Sequence, residues 1–295
     1  MSILAHLSDL HLLERDHDKR RGLPRRRLRY LSTGAPLDYE GRLQRAIATL
    51  QVARRANADH VLITGDLTED GTDAQFEVLA EALQRSGLSP DCVTLVPGNH
   101  DGYADAGAFA RALQGPLAAF RGTSAENAKT VLSGAVIAPV STMIDGQWFG
   151  RSRGEMRNED VARVRRLASD PISKGRAVVV AQHHPPKPHA LFAWDWIDGL
   201  GNAHAMRDLL LERTRVHVVH GHTHRRTTQH LTGRLHAQVF STASVRDQHG
   251  TGLALRFYQA EDGSLHELQG LLPTSQPLAA QPATPVPLAF TPSAL

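Results

Sequence analysis

Val61-Leu62-Ile63-Thr64-Gly65-Asp66 decides the fold of this 295-residue chain. Four residues of β character run into a glycine and then a carboxylate. A short apolar run that ends at a glycine reads as a buried strand feeding a loop. A carboxylate at the end of a buried strand is costly unless positive charge meets it. Two readings stay open at this point. Asp66 caps the helix that follows, or Asp66 meets bound cations.

Working outward, the same unit recurs. Residues 2–7 read as a first strand and deliver Ser8-Asp9-Leu10-His11. Residues 39–56 read as a helix, with Leu43, Ile47 and Leu50 on one face. Residues 72–86 form the next helix, closed by Gly87. Residues 92–96 form a strand and deliver Pro97-Gly98-Asn99-His100-Asp101. A helix with a break near Gly115-Pro116 is expected over 103–120, a strand over 135–142 and a helix over 158–168. The strand at 176–181 delivers Gln182-His183-His184-Pro185-Pro186. A loop with Phe192, Trp194 and Trp196 leads to a helix at 202–212, where Asn202 reads as the cap. The strand at 215–219 delivers His220-Gly221-His222-Thr223-His224. Segments at 227–231, 235–241, 252–258 and 264–268 read as an antiparallel finish. Strand–helix–strand alternation indicates βαβ units and a parallel core.

Composition sets the bounds. Hydrophobic residues at 41% and charged residues at 21% describe an ordinary globular protein. No run of about 18 apolar residues offers a spanning helix. The N-terminus lacks a basic segment followed by an apolar one, so no signal peptide is expected. The single cysteine, Cys92, excludes an intramolecular disulfide and reads as a small buried hydrophobe. A cytoplasmic setting is expected. The net charge of +3 does not by itself imply a polyanionic partner. No repeat or linker interrupts the body, so one domain is expected over 1–272, followed by a Pro/Ala-rich tail at 273–295.

Five strands therefore end at loops with metal-type ligands: Asp9 and His11, Asp66, Asn99 and His100, His183, then His222 and His224. Ligands at the carboxyl ends of parallel strands converge on one edge of a sheet. Asp-x-His and His-x-His would place both side chains on one side of an extended segment. Glycines beside Asp66, Asn99 and His222 let the backbone turn sharply. Imidazole and carboxylate suit manganese, iron, zinc or cobalt, and no thiolate is offered. The other histidines carry no partner motif and read as surface or core residues; His189 and His220 flank ligand loops.

This order of motifs resembles the calcineurin-like metallophosphoesterase superfamily. The residues that carry the likeness are Asp9-x-His11, Gly65-Asp66, Gly98-Asn99-His100-Asp101, His183 and Gly221-His222-x-His224. Gly65-Asp66-Leu67-Thr68 and His183-His184-Pro185-Pro186 look most like the bacterial class III phosphodiesterase branch, which includes cyclic-nucleotide and glycerophosphodiester hydrolases. The resemblance implies an α/β, four-layer α-β-β-α sandwich: two facing mixed sheets flanked by helices. It implies two divalent metal ions. Asp9, His11 and His224 would hold the first, Asn99, His183 and His222 the second, and Asp66 would bridge them. His184 is the alternative to His183. A hydroxide between the metals would attack phosphorus. His100 would protonate the leaving group or stabilise charge on the phosphoryl oxygens, and Asp101 would orient His100. The implied reaction is cleavage of a small or cyclic phosphodiester. The alternatives are a pyrophosphatase of a UDP-diacylglucosamine-type lipid, or a phosphomonoesterase. A binding protein that kept the fold would be expected to lack a ligand, and none is missing.

Two segments would set the substrate. Residues 12–38 form an irregular basic arm, with Arg15, Lys19, Arg20, Arg21, Arg25, Arg26, Arg27 and Arg29 among Leu23, Leu28, Tyr30 and Leu31. Its bland reading is a solvated loop. Its functional reading is contact with phosphate or with an acidic membrane surface. Nucleic acid is disfavoured because no aromatic stacking platform accompanies it. Residues 187–201 form a loop beside two ligand loops. His184, Arg26, Trp194 and Trp196 are the candidate substrate contacts. A homodimer is a family-level expectation.

Overall fold

The computed structural model describes residues 1–32, 34–187, 192–231, 236, 238–248 and 254–269. The expected tail at 273–295 and His189 lie outside the described residues. β1 (Ser2–Leu7) is followed by α1 (Gly22–Leu31) and α2 (Tyr39–Arg55), then β2 (His60–Thr64), α3 (Asp73–Ser86) and β3 (Val93–Val96). These three strands are parallel neighbours. α4 (Ala108–Ala112) and α5 (Arg121–Ser124) lead to β4 (Thr130–Val131) and β5 (Ala135–Pro139). Then come β6 (Gly154–Glu155), α6 (Asn158–Ser169), β7 (Ala177–Ala181), α7 (Phe192–Asp198), β8 (Leu200–Gly201), α8 (Ala203–Glu212) and β9 (Val216–His220). β10 (Thr227–Gln229) and β11 (Val239–Ser241) finish the second sheet; β12 (Arg256–Glu261) and β13 (Ser264–Leu268) return to the first.

The first sheet has the order β13-β12-β1-β2-β3, and the second β10-β11-β9-β7-β5-β4. Strand β7 shows why they face each other. Val178 and Val180 pack with the helix-side residues Val161, Val164 and Leu209. Ala177, Val179 and Ala181 turn the other way, onto Leu4, Leu62 and Tyr258 of the first sheet. Both faces are thus buried, which is why the strand reads as a continuous apolar run. On the far side of the first sheet, Leu43, Ile47 and Leu50 of α2 pack with Phe76, Leu79 and Leu83 of α3. The result is the four-layer α-β-β-α sandwich.

Several local expectations differ from the structure. The arm is not irregular throughout, because Gly22–Leu31 is helical. Arg20 and Arg27 fix it by bonding the buried Asp70 carboxylate at 2.7–3.0 Å, and Leu28 is buried. Residues 192–198 form a helix where a loop is expected. Residues 103–120 hold only the short α4 and a 3-10 turn at Ala118–Phe120. β11 runs parallel to β9, so the finish is not wholly antiparallel. Cys92 is half-buried at the end of a 3-10 turn.

One buried histidine, at the opposite end of β2 from Asp66, gives the fold a pH signature. His60 lies in β2 with its Nε2 2.8 Å from Thr94 Oγ1. Burial pulls its pKa from the ordinary 6.5 down to about 4. Between those values the unfolded chain takes up a proton that the folded chain refuses. Stability from this group is therefore present above pH 6.5 and lost as pH falls towards 4, by up to about 3 kcal/mol. His60→Gln should flatten that slope by a similar amount in urea unfolding followed across pH. An unchanged slope would assign the acid sensitivity to other groups.

Candidate metal centre

The loops after β1, β2, β3, β7 and β9 meet where the C-terminal ends of the two sheets come together. As the strands end, the first two loops keep pairing. Asp9 N donates to Gly65 O at 3.0 Å and His11 N to Asp66 O at 2.9 Å. The third and fourth loops close over the second at its glycine. Gly65 has φ +91°, and a methyl there would overlap the His183 ring; one at Gly98 would overlap the Asp66 backbone nitrogen. The paired ligands do not share a side by sitting on extended backbone. Asp9, His11, Asp66, His222 and His224 all adopt left-handed backbone, with φ between +46° and +68°. Such conformations at non-glycine residues cost about 1–3 kcal/mol each and persist where surrounding structure holds them.

The side chains then converge. His11 Nε2 is 3.3 Å from His224 Nε2 and 3.7 Å from Asp66 Oδ2. His224 Nε2 is 3.4 Å from Asp9 Oδ1. On the other side of Asp66, Oδ1 lies 3.3 Å from His183 Nε2, which is 3.1 Å from Asn99 Oδ1. Asp66 thus presents one oxygen to each group. His222 stands edge-on beside His183, ring centroids 5.1 Å apart. His100 sits edge-on to His11 at 4.5 Å, with its Nε2 3.9 Å from Asp66 Oδ2.

The sequence profile for calcineurin-like phosphoesterases matches residues 3–226, more than half of the chain. The chain belongs to the calcineurin-like phosphoesterase family. A search of curated proteins finds no match. Among solved structures, a dimetal phosphatase from Danio rerio superposes with a TM-score of 0.64 at 13% identity, over 90% of this chain and 98% of its own. The Thermus thermophilus protein TT1561 gives 0.52 at 12% identity, over 90% and 97%. A purple acid phosphatase from yellow lupin, Lupinus luteus, gives 0.55 at 11% identity, over 89% of this chain and 50% of its own. At such identities these likenesses carry the fold alone.

Calcineurin-like phosphoesterases bind divalent metal ions, and the donors here fit such ions. The buried Asp9 Oδ2 has no hydrogen-bond partner. Asp9, His11, Asp66 and His224 form one candidate cluster, and His183, His184 and His222 another. Electrostatics point the same way. Burial works against the Asp66 carboxylate, but His183 and His100 override it and hold its pKa well below the usual range. Burial pulls His183 down, and Asp66 overrides this to hold it up at about 9. His224 is likewise held up at about 10, against burial, by Asp9 and Asp247. Protons on imidazole supply positive charge that bound cations would otherwise provide.

Behind the ligands stand residues that the motifs do not display. Asp247 Oδ2 accepts from His224 Nδ1 at 2.6 Å, and Arg246 Nε holds its other oxygen at 2.7 Å. His183 Nδ1 donates to Thr64 O at 2.8 Å. Asn99 Nδ2 donates to Tyr103 Oη at 2.8 Å, which turns Asn99 Oδ1 towards His183. Asp198, at the end of α7, accepts from His222 Nε2 at 3.0 Å. Partners of this kind fix tautomer and ring orientation, and losing one costs about 10–100-fold in metal affinity. Asp247→Ala should weaken metal binding by that factor in calorimetric titration while the circular dichroism spectrum is kept. Unchanged affinity would remove Asp247 from the site.

Three site expectations need correction. Asp101 does not orient His100. Its oxygens accept from Gly98 N, Leu67 N, Thr68 N and Thr68 Oγ1 at 2.7–3.1 Å, so it ties the second loop to the third. Burial and the nearby Asp66 push its pKa up to about 6. The group that orients His100 is Glu69 O, 2.7 Å from His100 Nδ1. His184 has both nitrogens engaged, by Thr142 Oγ1 at 2.8 Å and Ser152 O at 2.9 Å, which makes it a wall residue. Asn202 precedes α8, but its amide bonds Met156 O and Asn158 Oδ1 and makes no side-chain cap. Arg26 is exposed on α1, and Trp196 is exposed under the Arg151 guanidinium, 4.4 Å from the ring centroid. The side chain of Trp194 lies outside the described residues. Glu69, grouped with His11 and His100, is tied by Ser32 and Arg42 and reads as a support for His11.

Proposed function

We propose that the chain hydrolyses phosphodiesters of small organic groups at a dinuclear centre. The observation that supports this reading is the placement of Asp66 between two donor groups. Asp9, His11 and His224 would hold one ion, and Asn99, His183 and His222 the other. The ions supply Lewis acidity towards phosphoryl oxygens and a nucleophile at neutral pH. The protein supplies the rest. Glu69 O accepts the Nδ1 proton of His100 and leaves Nε2 facing the Asp66 side of the site. Protonated at both nitrogens, His100 would give the Nε2 proton to the departing oxygen as the P–O bond breaks. The incoming water oxygen completes the new phosphate, and its proton passes to solvent.

Charge favours a diester over a monoester. A diester carries one negative charge, a monoester at neutral pH nearly two. Arg42 and Arg246 border the ligands, and each is already bonded to a carboxylate, Glu69 and Asp247 respectively. Neither offers an unpaired guanidinium to the extra charge. The test compares bis(p-nitrophenyl) phosphate with p-nitrophenyl phosphate under manganese, cobalt and zinc. Faster turnover of the diester is expected. Turnover of the monoester alone would replace the diester reading. Turnover of neither, with metals bound, would sink the hydrolase reading for this substrate class.

A further inference from the structure

Exposed large hydrophobic side chains gather on α1, on the segment around Trp148 and on α7. Of the seven among the described residues, four are Leu23, Tyr30, Trp148 and Trp196. Tyr30 of α1 meets Phe149 at 5.4 Å between ring centroids, and Phe149 meets Trp148 at 5.8 Å. Arg151, two residues on, covers Trp196 and accepts through its carbonyl from Tyr103 Oη. These contacts link α1, the segment around Trp148 and α7 beside the ligand Asn99.

Helical spacing sorts α1 into two faces. Leu28 points inward, and Arg27 bonds Asp70. Leu23, Arg26 and Tyr30, at i, i+3 and i+7, share the outward face. Arg29 borders Arg26 on that side, Arg25 lies nearer the opposite side, and both are exposed. Residues 19–37 contain seven cationic side chains and no carboxylate. An amphipathic helix usually hides its apolar face; this one presents leucine and tyrosine outward among arginines, next to an exposed tryptophan that is 70% accessible.

We infer that this face docks on an anionic lipid surface. Tryptophan and tyrosine settle at the lipid–water boundary, and arginine is drawn to anionic headgroups. A second copy of this chain fits poorly, because a two-fold contact would set the same arginines against each other. The inference is independent of which phosphoester is cleaved. It places α1, the Trp148 segment and α7 at the membrane surface.

The test is co-sedimentation of the full chain with phosphatidylcholine vesicles, with and without phosphatidylglycerol. Binding to the anionic vesicles alone is expected, falling with added salt. Arg26→Glu with Arg29→Glu should lower partitioning by about 100-fold. Leu23→Ser with Trp148→Ser should lower it by about 10-fold. The face is overturned if the protein does not bind, if both vesicle types bind it equally, or if either double variant binds as the parent does. It is also overturned if the variants split a dimer or if duplex DNA outcompetes the vesicles. Reporter hydrolysis, measured in parallel, separates this outcome from failure of the hydrolase reading.

Discussion

Asp66→Asn is expected to lower turnover by at least about 10³-fold, more than 4 kcal/mol in the barrier. Asp66 has an oxygen for each donor group: Oδ1 near His183 Nε2 and Oδ2 near His11 Nε2. Asn keeps one oxygen and turns an amide N–H₂ to the other side. That group repels a cation and offers it no lone pair. Metal content per chain should therefore fall along with rate, and excess metal should not restore rate. The fold should survive. His100 N still has an oxygen acceptor at position 66 in one amide orientation, and the raised Asp101 carboxyl loses a neighbouring negative charge. Rate within about tenfold of the parent at unchanged metal content would show that Asp66 does not bridge.

The strands and the first ring of ligands were legible because each strand is a short apolar run that stops at a polar motif. β2 is buried throughout, and its motif follows at once. The supports were not legible. Asp247, Glu69 and Tyr103 come from loops or turns with no periodicity, Asp198 is the last residue of the short α7, and what makes each matter is the ring nitrogen or amide it faces. The backbone under the ligands was misjudged for a related reason. Spacing of two suggests an extended segment, but His222 and His224 reach their places through left-handed turns, with φ +68° and +52°. Contacts from Asp9 and His11, from His183 and from Asp247 are what hold that conformation. The helix at 22–31 was not legible because it offers no stripe to bury: of its apolar side chains only Leu28 is buried, and Leu23 and Tyr30 face outward. Its anchors are arginines reaching across to Asp70, a contact that local pattern does not encode.

Replacing Arg42 by Ala should cost about 3–5 kcal/mol of stability, the largest single loss expected away from the ligands. Arg42 and Glu69 are both buried, at 1% and 0% exposure. Arg42 Nη1 bonds Glu69 Oε2 and also donates to His11 O at 2.8 Å, while Nη2 donates to Pro36 O at 2.7 Å. Ser32 Oγ takes the other Glu69 oxygen at 2.6 Å, and Glu69 Oε2 stands 3.4 Å from His11 Nδ1. Alanine at 42 leaves that carboxylate buried and short of its cation, and leaves two backbone carbonyls without a donor. Glu69→Gln should cost less, because the amide keeps an acceptor and adds a donor, but it should weaken metal binding through His11. Arg42→Met with Glu69→Leu should be more stable than the sum of the single losses, since no charge is then stranded. Urea unfolding measures the first and third effects, and metal titration the second. Additive losses in the double variant would mean that the two side chains act independently. His11 would then be oriented by its backbone and by Asp66 alone.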